Sequence, residues 1–178
     1  LDLSRILAGP YAAQSLGDLG ANVTKIEAPW GDDTRGWGPP FQKGFDGEVV
    51  ASYFLSCNRG KDIRSGNIKE DKIHLQSLIA KSDIVIENFR PGTFERHLGP
   101  VPKGVILCSI SGYGQNGPRR DEPAFDLTMQ ARSGIMSITG DADGPPAKVG
   151  VAWIDVMTGM NAVSSILAAL YHRERTGE

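Results

Sequence analysis

The sequence has little sulfur, no excess of either charge and no long apolar run. Its 178 residues hold two cysteines, Cys57 and Cys108, so a disulfide scaffold is excluded. No C-x-x-C pair is present and no metal site is expected. Both thiols are expected reduced and buried, as in an intracellular protein. Lys and Arg number 19 against 21 Asp and Glu, a net charge of −2. Neither half is strongly basic, which argues against a nucleic-acid partner. No apolar run reaches the roughly 18 residues of a membrane span, so no membrane is expected. The P-loop pattern, H-E-x-x-H and G-x-S-x-G are missing. His74, His97 and His172 stand far apart in no ligand pattern. Both ends read as cut: the chain opens without Met on the strand-like Leu1-Asp2-Leu3 and stops just past a helix.

Glycine and proline, 22 and 11 residues, are scattered through turns without a period, so they mark loops of one globular domain. Residues 1–3 read as the tail of a strand and 4–9 as a loop. Pro10 suits the first turn of a helix over 11–19, and Gly20 suits its stop. Residues 21–27 read as a strand, which makes 1–27 a β-α-β unit. Residues 28–48 are too rich in Gly and Pro for a regular element, and 49–56 fit helix or strand. Residues 58–69 read as basic turns. A helix is expected over 70–81, a strand over 83–87, a helical turn over 94–98, a strand over 104–110 and a helix over 126–136. Residues 147–154 read as extended. Val156, Met160, Val163, Ile166, Leu167 and Leu170 repeat with the helical period, which predicts a long helix over 156–172. Strands alternating with helices predict an α/β fold with a doubly wound, mostly parallel sheet.

Three features carry candidate chemistry. Gly112-Tyr113-Gly114-Gln115-Asn116-Gly117 matches the dinucleotide fingerprint, which makes a dinucleotide-dependent oxidoreductase one alternative. The run Pro118-Arg119-Arg120-Asp121-Glu122-Pro123 follows instead of a helix, so a glycine-rich turn is favoured. Asp155 sits where an extended segment meets the long helix. Its spacing reads as an N-cap. There the free N–H groups and the helix dipole favour an ionised carboxylate, as a carboxylate nucleophile needs. Arg59, Lys61, Arg64, Lys69, Arg90 and Arg96 read either as solvated surface charge or as contacts for a phosphate-rich ligand. Asn88-Phe89-Arg90-Pro91-Gly92 lies just past a strand's carboxyl end, where open α/β sheets bind ligands. An aromatic and an amide there suit an adenine, and arginines suit phosphates.

Taken together, the residues resemble a family. Leu1-Asp2-Leu3-Ser4-Arg5-Ile6-Leu7-Ala8-Gly9-Pro10, Leu19-Gly20-Ala21-Asn22-Val23 and Lys25-Ile26-Glu27 are similar to the start of the family III CoA-transferases, the formyl-CoA and carnitine CoA-transferase group. So are Gly31-Asp32-Asp33-Thr34-Arg35, Glu87-Asn88-Phe89-Arg90-Pro91-Gly92, Ser111-Gly112-Tyr113-Gly114, Gly117-Pro118, Gly144-Pro145-Pro146, Thr158-Gly159-Met160 and Leu167-Ala168-Ala169-Leu170. Each motif is weak, but the set in this order is specific, and it spans the whole chain.

The resemblance implies a Rossmann-like large domain, here incomplete over residues 1–178, without the smaller domain and the return segment of longer members. It implies a homodimer, interlocked in full-length relatives, and an intracellular location, cytoplasmic or mitochondrial. The implied reaction moves CoA from an acyl-CoA donor to a carboxylic acid through an aspartyl-CoA thioester, with no tightly bound cofactor. Asp155 is the implied nucleophile. Lys69, Asn88, Phe89 and Arg96 match CoA-contact positions, followed by Arg5 and Arg90. Loop 28–43 resembles the branch handling dicarboxylates such as succinate and glutarate, with Arg35 facing either an acid group or an intramolecular carboxylate. A truncated remnant that binds CoA or a partner without turnover is the other alternative.

Overall fold

The computed structural model describes residues 1–44 and 47–178. Four strands and the N-terminal segment make one parallel sheet. Strand β1 (Thr24–Glu27) pairs in parallel with a strand at Asp62–Ser65, and the strand at Ile84–Glu87 pairs in parallel with that at Ile106–Ser109. Residues 1–3 join the two pairs: Asp2 bridges Lys25 on one side and Ile86 on the other. Between β1 and Asp62 a short antiparallel hairpin forms from β2 (Phe41–Lys43) and β3 (Val49–Ala51). The remaining strands are therefore β4 (Asp62–Ser65), β5 (Ile84–Glu87) and β6 (Ile106–Ser109). Across the parallel sheet the order is β4, β1, residues 1–3, β5, β6. With residues 1–3 as the first strand, this is the doubly wound order 3-2-1-4-5, and its switch point lies between residues 1–3 and β5.

Helices α1 (Ala8–Asp18), α2 (Ser52–Asn58), α3 (Lys72–Ala80), α4 (Thr93–Leu98), α5 (Asp126–Arg132) and α6 (Trp153–Thr176) complete the fold. The period-2 alternation of β5 sorts its side chains between two cores. Val85 packs with Leu3, Ile26, Leu75, Ile79, Phe94 and Leu98 beneath α3 and α4. Ile86 packs on the other face with Ala12, Ala13 and Leu16 of α1 and Ala162 and Ile166 of α6. Each large aliphatic side chain fully buried this way contributes roughly 1.5–3 kcal/mol.

Several sequence expectations need correction. Residues 58–69 contain β4, which hydrogen-bonds to β1 yet buries little because it is a sheet edge. Charged residues on such an edge discourage further pairing. Loop 28–48 contains β2 and a 3-10 turn at Asp33–Gly36, although Phe45 and Asp46 lie outside the described residues. Residues 52–58 settle as helix. Helix α6 starts at Trp153 and is 24 residues long. It is long and apolar enough to cross a membrane by length and composition alone, where the sequence showed no apolar run of that length. It packs against α1 and β6.

The α1–α6 contact depends on Gly159. A Cβ there would stand 2.8 Å from the Ala8 carbonyl oxygen and 2.8 Å from Tyr11 Cδ1. The carbonyl belongs to a helix and has little room to retreat. Overpacking of this kind costs about 1–3 kcal/mol, against about 1 kcal/mol gained in helix propensity when Gly becomes Ala. Gly159→Ala is therefore expected to lower the denaturant midpoint in chemical unfolding followed by circular dichroism. A midpoint equal to the parent's or higher would contradict this account of the contact.

Candidate active site

The loop leaving the central segment is held by buried charge. Lys25 is fully buried, and its ammonium donates to the Ser4 carbonyl oxygen at 2.7 Å and lies 3.3 Å from Asp32 Oδ2. Asp2, also fully buried, accepts from Lys61 Nζ at 2.8 Å and from the Ser4 N–H and hydroxyl. Burial works against the Asp2 carboxylate, but Lys25 and Lys61 outweigh it and hold its pKa below the usual range. Burial lowers the Lys61 ammonium, and Asp2 opposes that shift. Asp32 also accepts from the Ile6 N–H at 3.2 Å and the Thr34 N–H at 3.1 Å. Ile6 takes a positive φ of 71°, an unfavourable conformation for a β-branched residue.

This anchoring sets Arg5 at the switch point. The Asn88 side-chain amide spans the gap: Oδ1 accepts from the Arg5 N–H at 3.0 Å and Nδ2 donates to the Arg5 carbonyl at 2.7 Å. Asn88 thus holds the Arg5 backbone. The Arg5 guanidinium is exposed and pairs with Asp33 at 3.0 Å. Phe89 is partly buried against the α3–α4 core, and its N–H donates to Glu87 Oε2 at 2.7 Å. Burial raises the Glu87 carboxyl, while hydrogen bonds from Ser109 and the Phe89 N–H pull the other way. Arg90 is exposed just beyond, and Arg96 is exposed on α4. Lys69 is exposed in the turn between β4 and α3, and its neighbour Ile68 packs against the same cluster as Phe89 and the buried Phe94 and Leu98 of α4. The switch point thus gathers Arg5, Asn88, Phe89 and Arg90, with Arg96 on the following helix.

Arg35 faces an internal carboxylate. Its Nε donates to Glu27 Oε2 at 2.7 Å and its Nη2 to Glu27 Oε1 at 3.0 Å, and the guanidinium lies 4.0 Å over the Phe54 ring. The Gly112–Gly117 loop runs into turns, with no helix before Asp126. Gly112 there is crowded by the Ala124 side chain, so this glycine serves packing, and the fingerprint lacks the helix that a pyrophosphate requires.

Asp155 is in the first turn of α6, and it is not the cap. The N-cap residue, Ala152, offers no side-chain hydrogen bond. The cap comes from α5: Asp126 Oδ1 accepts from the Ile154 N–H at 2.7 Å and the Asp155 N–H at 3.3 Å. The sequence reading has helix N–H groups favouring an ionised Asp155; here a second carboxylate takes them. Burial, and then the charge of Asp126, push the Asp155 carboxyl up to about 6. Such a group is ionised at pH 7 yet more basic than an ordinary aspartate near 4. Tyr53 on α2 lies within electrostatic reach of both carboxylates, and burial followed by the Asp155 charge pushes its phenol up to about 12. One turn on from Asp155, Gly159 meets Ala8, so the helix carrying Asp155 rests directly on the end of the Arg5 loop.

Sequence reasoning missed Asp126, Gln130, Tyr53 and Lys25. One of them left a signal: Lys25 is a cation inside the strand β1, whereas the spacing of Asp126 and Gln130, four apart on one helix face, is that of an ordinary surface pair.

The sequence profile of CoA-transferase family III matches residues 1–178. A succinate–glutarate CoA-transferase of Agrobacterium fabrum is 45% identical over 100% of this chain and 47% of its own length. A succinyl-CoA:glutarate CoA-transferase of Mus musculus is 45% identical over 100% of this chain and 42% of its own. The crystal structure of a CAIB/BAIF family protein from Brucella suis superposes with a TM-score of 0.92 at 43% identity, covering 99% of this chain and 48% of that one. The chain thus spans about half the length of the curated relatives it matches.

The raised Asp155 pKa has a stability consequence. The folded carboxyl, near 6, holds its proton more tightly than the unfolded one, near 3.8. This group therefore favours folding below the unfolded value, and that contribution is lost as pH rises through about 6. Asp155→Asn removes the titration. The stability of the variant relative to the parent is expected to rise between about pH 4 and about pH 7.5, measured as urea midpoints at both pH values. A difference independent of pH would overturn the assignment.

Proposed function

The chain belongs to CoA-transferase family III, and from that premise we propose that the protein moves coenzyme A from an acyl-CoA donor to a carboxylic acid acceptor, with Asp155 as nucleophile. The observation that carries this is the state of Asp155: half-buried, relieved of capping by Asp126, and raised to about 6. The similarity to succinate and glutarate enzymes favours a dicarboxylate acceptor.

In the proposed reaction an Asp155 carboxylate oxygen attacks the donor thioester carbonyl and CoA thiolate leaves, giving a mixed anhydride. The thiolate attacks the aspartyl carbonyl and expels the donor acid, leaving an aspartyl-CoA thioester. The acceptor carboxylate attacks that thioester and releases thiolate, and the thiolate then attacks the acceptor's acyl carbonyl, freeing the new acyl-CoA and Asp155. Each step is an acyl transfer with a carboxylate or thiolate as leaving group.

In this reading Arg5, Arg90 and Arg96 meet CoA phosphates and Phe89 the adenine, with Asn88 holding the Arg5 loop and Lys69 contributing charge from the turn after β4. The exposed Met160, Leu167 and Tyr171 of α6 support a homodimer interface. Residues 1–178 serve as part of a large domain in an intracellular enzyme.

Incubation with succinyl-CoA followed by intact-mass measurement tests the reading. The parent chain is expected to gain the mass of CoA less water, and Asp155→Ala to gain nothing. Asp155→Ala should also lose roughly 10³-fold or more in turnover. An adduct on both chains would overturn Asp155 as nucleophile. An adduct on the parent without turnover would favour a chain that captures CoA without completing transfer. Arg5→Ala and Arg96→Ala are each expected to raise the half-saturating acyl-CoA concentration about tenfold, the loss of one charge-assisted hydrogen bond, with the saturated rate held within about threefold. Unchanged saturation would remove those residues from the CoA site.

A further inference from the structure

The start of α6 is held by one buried amide. Gln130 is 1% exposed and uses both ends of its side chain. Its Oε1 accepts from the Val149 N–H at 2.8 Å. Its Nε2 donates to the Val151 carbonyl at 3.1 Å and to Asp126 Oδ2 at 2.6 Å. The other Asp126 oxygen is the one that caps Ile154 and Asp155. Gln130 therefore fixes two things at once: the extended segment that feeds α6, and the rotamer of the carboxylate that caps it.

We propose that Gln130 is the positioning residue for Asp155, acting through Asp126 and the 149–151 segment without touching substrate. The proposal rests on the reading of Asp155 as nucleophile. The physical argument is one of degrees of freedom. Residues 149–152 belong to no helix or strand, so no backbone ladder sets where α6 begins. A short carboxylate such as Asp126 has alternative rotamers once Oδ2 loses its donor. In those rotamers the first-turn N–H groups of α6 lose their acceptor and turn to the nearest carboxylate, that of Asp155 itself. An Asp155 bound to its own helix end is less basic and points along the helix. Gln130 prevents this by holding the donor in place, and its burial makes the replacement of its bonds by water difficult.

The test is the rate of covalent loading on the full chain, followed by rapid-quench intact mass after mixing with succinyl-CoA. Gln130→Met keeps the side chain's shape and removes all three hydrogen bonds. Its loading rate at saturation is expected to fall by roughly 10²-fold, the loss associated with about 1 Å of misplacement. The half-saturating concentration should stay within about threefold, and the fraction of chain finally loaded should match the parent. That combination separates a slower nucleophile from a smaller folded population, which a merely structural role would produce. Asp126→Asn combined with Gln130→Met is expected to be no slower than the slower single variant, because both act on one unit. Losses that multiply would overturn the route through Asp126. Gln130→Asn keeps an amide one methylene too short to reach all three partners, and it carries the same test where Gln130→Met does not fold. A folded variant loading at the parent's rate would overturn the proposal while leaving Asp155 as nucleophile. A parent that fails to load would overturn the Asp155 reading and this inference with it.

Discussion

The arrangement of the site depends on one buried cluster of opposite charges. Asp2, Lys25, Asp32 and Lys61 are all removed from water in their side chains. Desolvation of this size is offset only where the partners remain in place, and removal of one member of such a pair costs about 3–5 kcal/mol. The cluster ties four stretches of sequence together: the central segment through Asp2, β1 through Lys25, the start of loop 32–36 through Asp32, and the turn before β4 through Lys61. It also accounts for the positive φ at Ile6. Asp32 takes the Ile6 N–H directly, so the unfavourable backbone is fixed by a hydrogen bond to a buried ion.

From that point the rest of the site follows by contact. The fixed loop leads into α1, and the Ala8 carbonyl at its start is where Gly159 of α6 sits closest. Arg5, three residues earlier, is joined to Asn88 across the switch point. This loop therefore links the helix bearing Asp155 to the basic residues beyond β5, alongside the direct packing of α6 on β5 and β6. That link passes through residues 4–8, where the buried cluster acts.

Periodicity was sufficient to find the long helix, the strand at 84–87 and the doubly wound alternation, because each buries a continuous apolar face that leaves a repeating pattern. It was not sufficient for β4, whose Asp62, Arg64 and Ser65 are exposed at a sheet edge; pairing with β1 made it a strand, and pairing leaves no apolar pattern. Asp155 was legible as a residue at a helix start, but its environment was not. The sequence suggests that helix N–H groups lower its pKa, whereas the cap arrives from Asp126, 29 residues away in the chain. A long-range hydrogen bond between two polar side chains and a backbone end has no local signature. The same is true of Gln130, which looks like an ordinary helix-surface residue until its burial is known. Arg35 was ambiguous between a substrate acid and an internal one, and only the geometry of Glu27 resolves it.

The raised Asp155 pKa bears on the proposed chemistry in a way an ordinary carboxylate would not. In the mixed anhydride, thiolate attack on the aspartyl carbonyl expels the donor acid and goes forward, while attack on the acyl carbonyl expels Asp155 and goes back. The less basic carboxylate is the better leaving group. A donor acid with an ordinary carboxylate pKa near 4 departs more readily than an aspartate near 6. The environment that makes Asp155 costly to ionise in the folded chain therefore also biases the anhydride toward the enzyme thioester. Asp126 adds to both effects. After burial, its charge raises Asp155 further, and its Oδ1 caps the helix end whose N–H groups would otherwise favour the ionised Asp155 carboxylate.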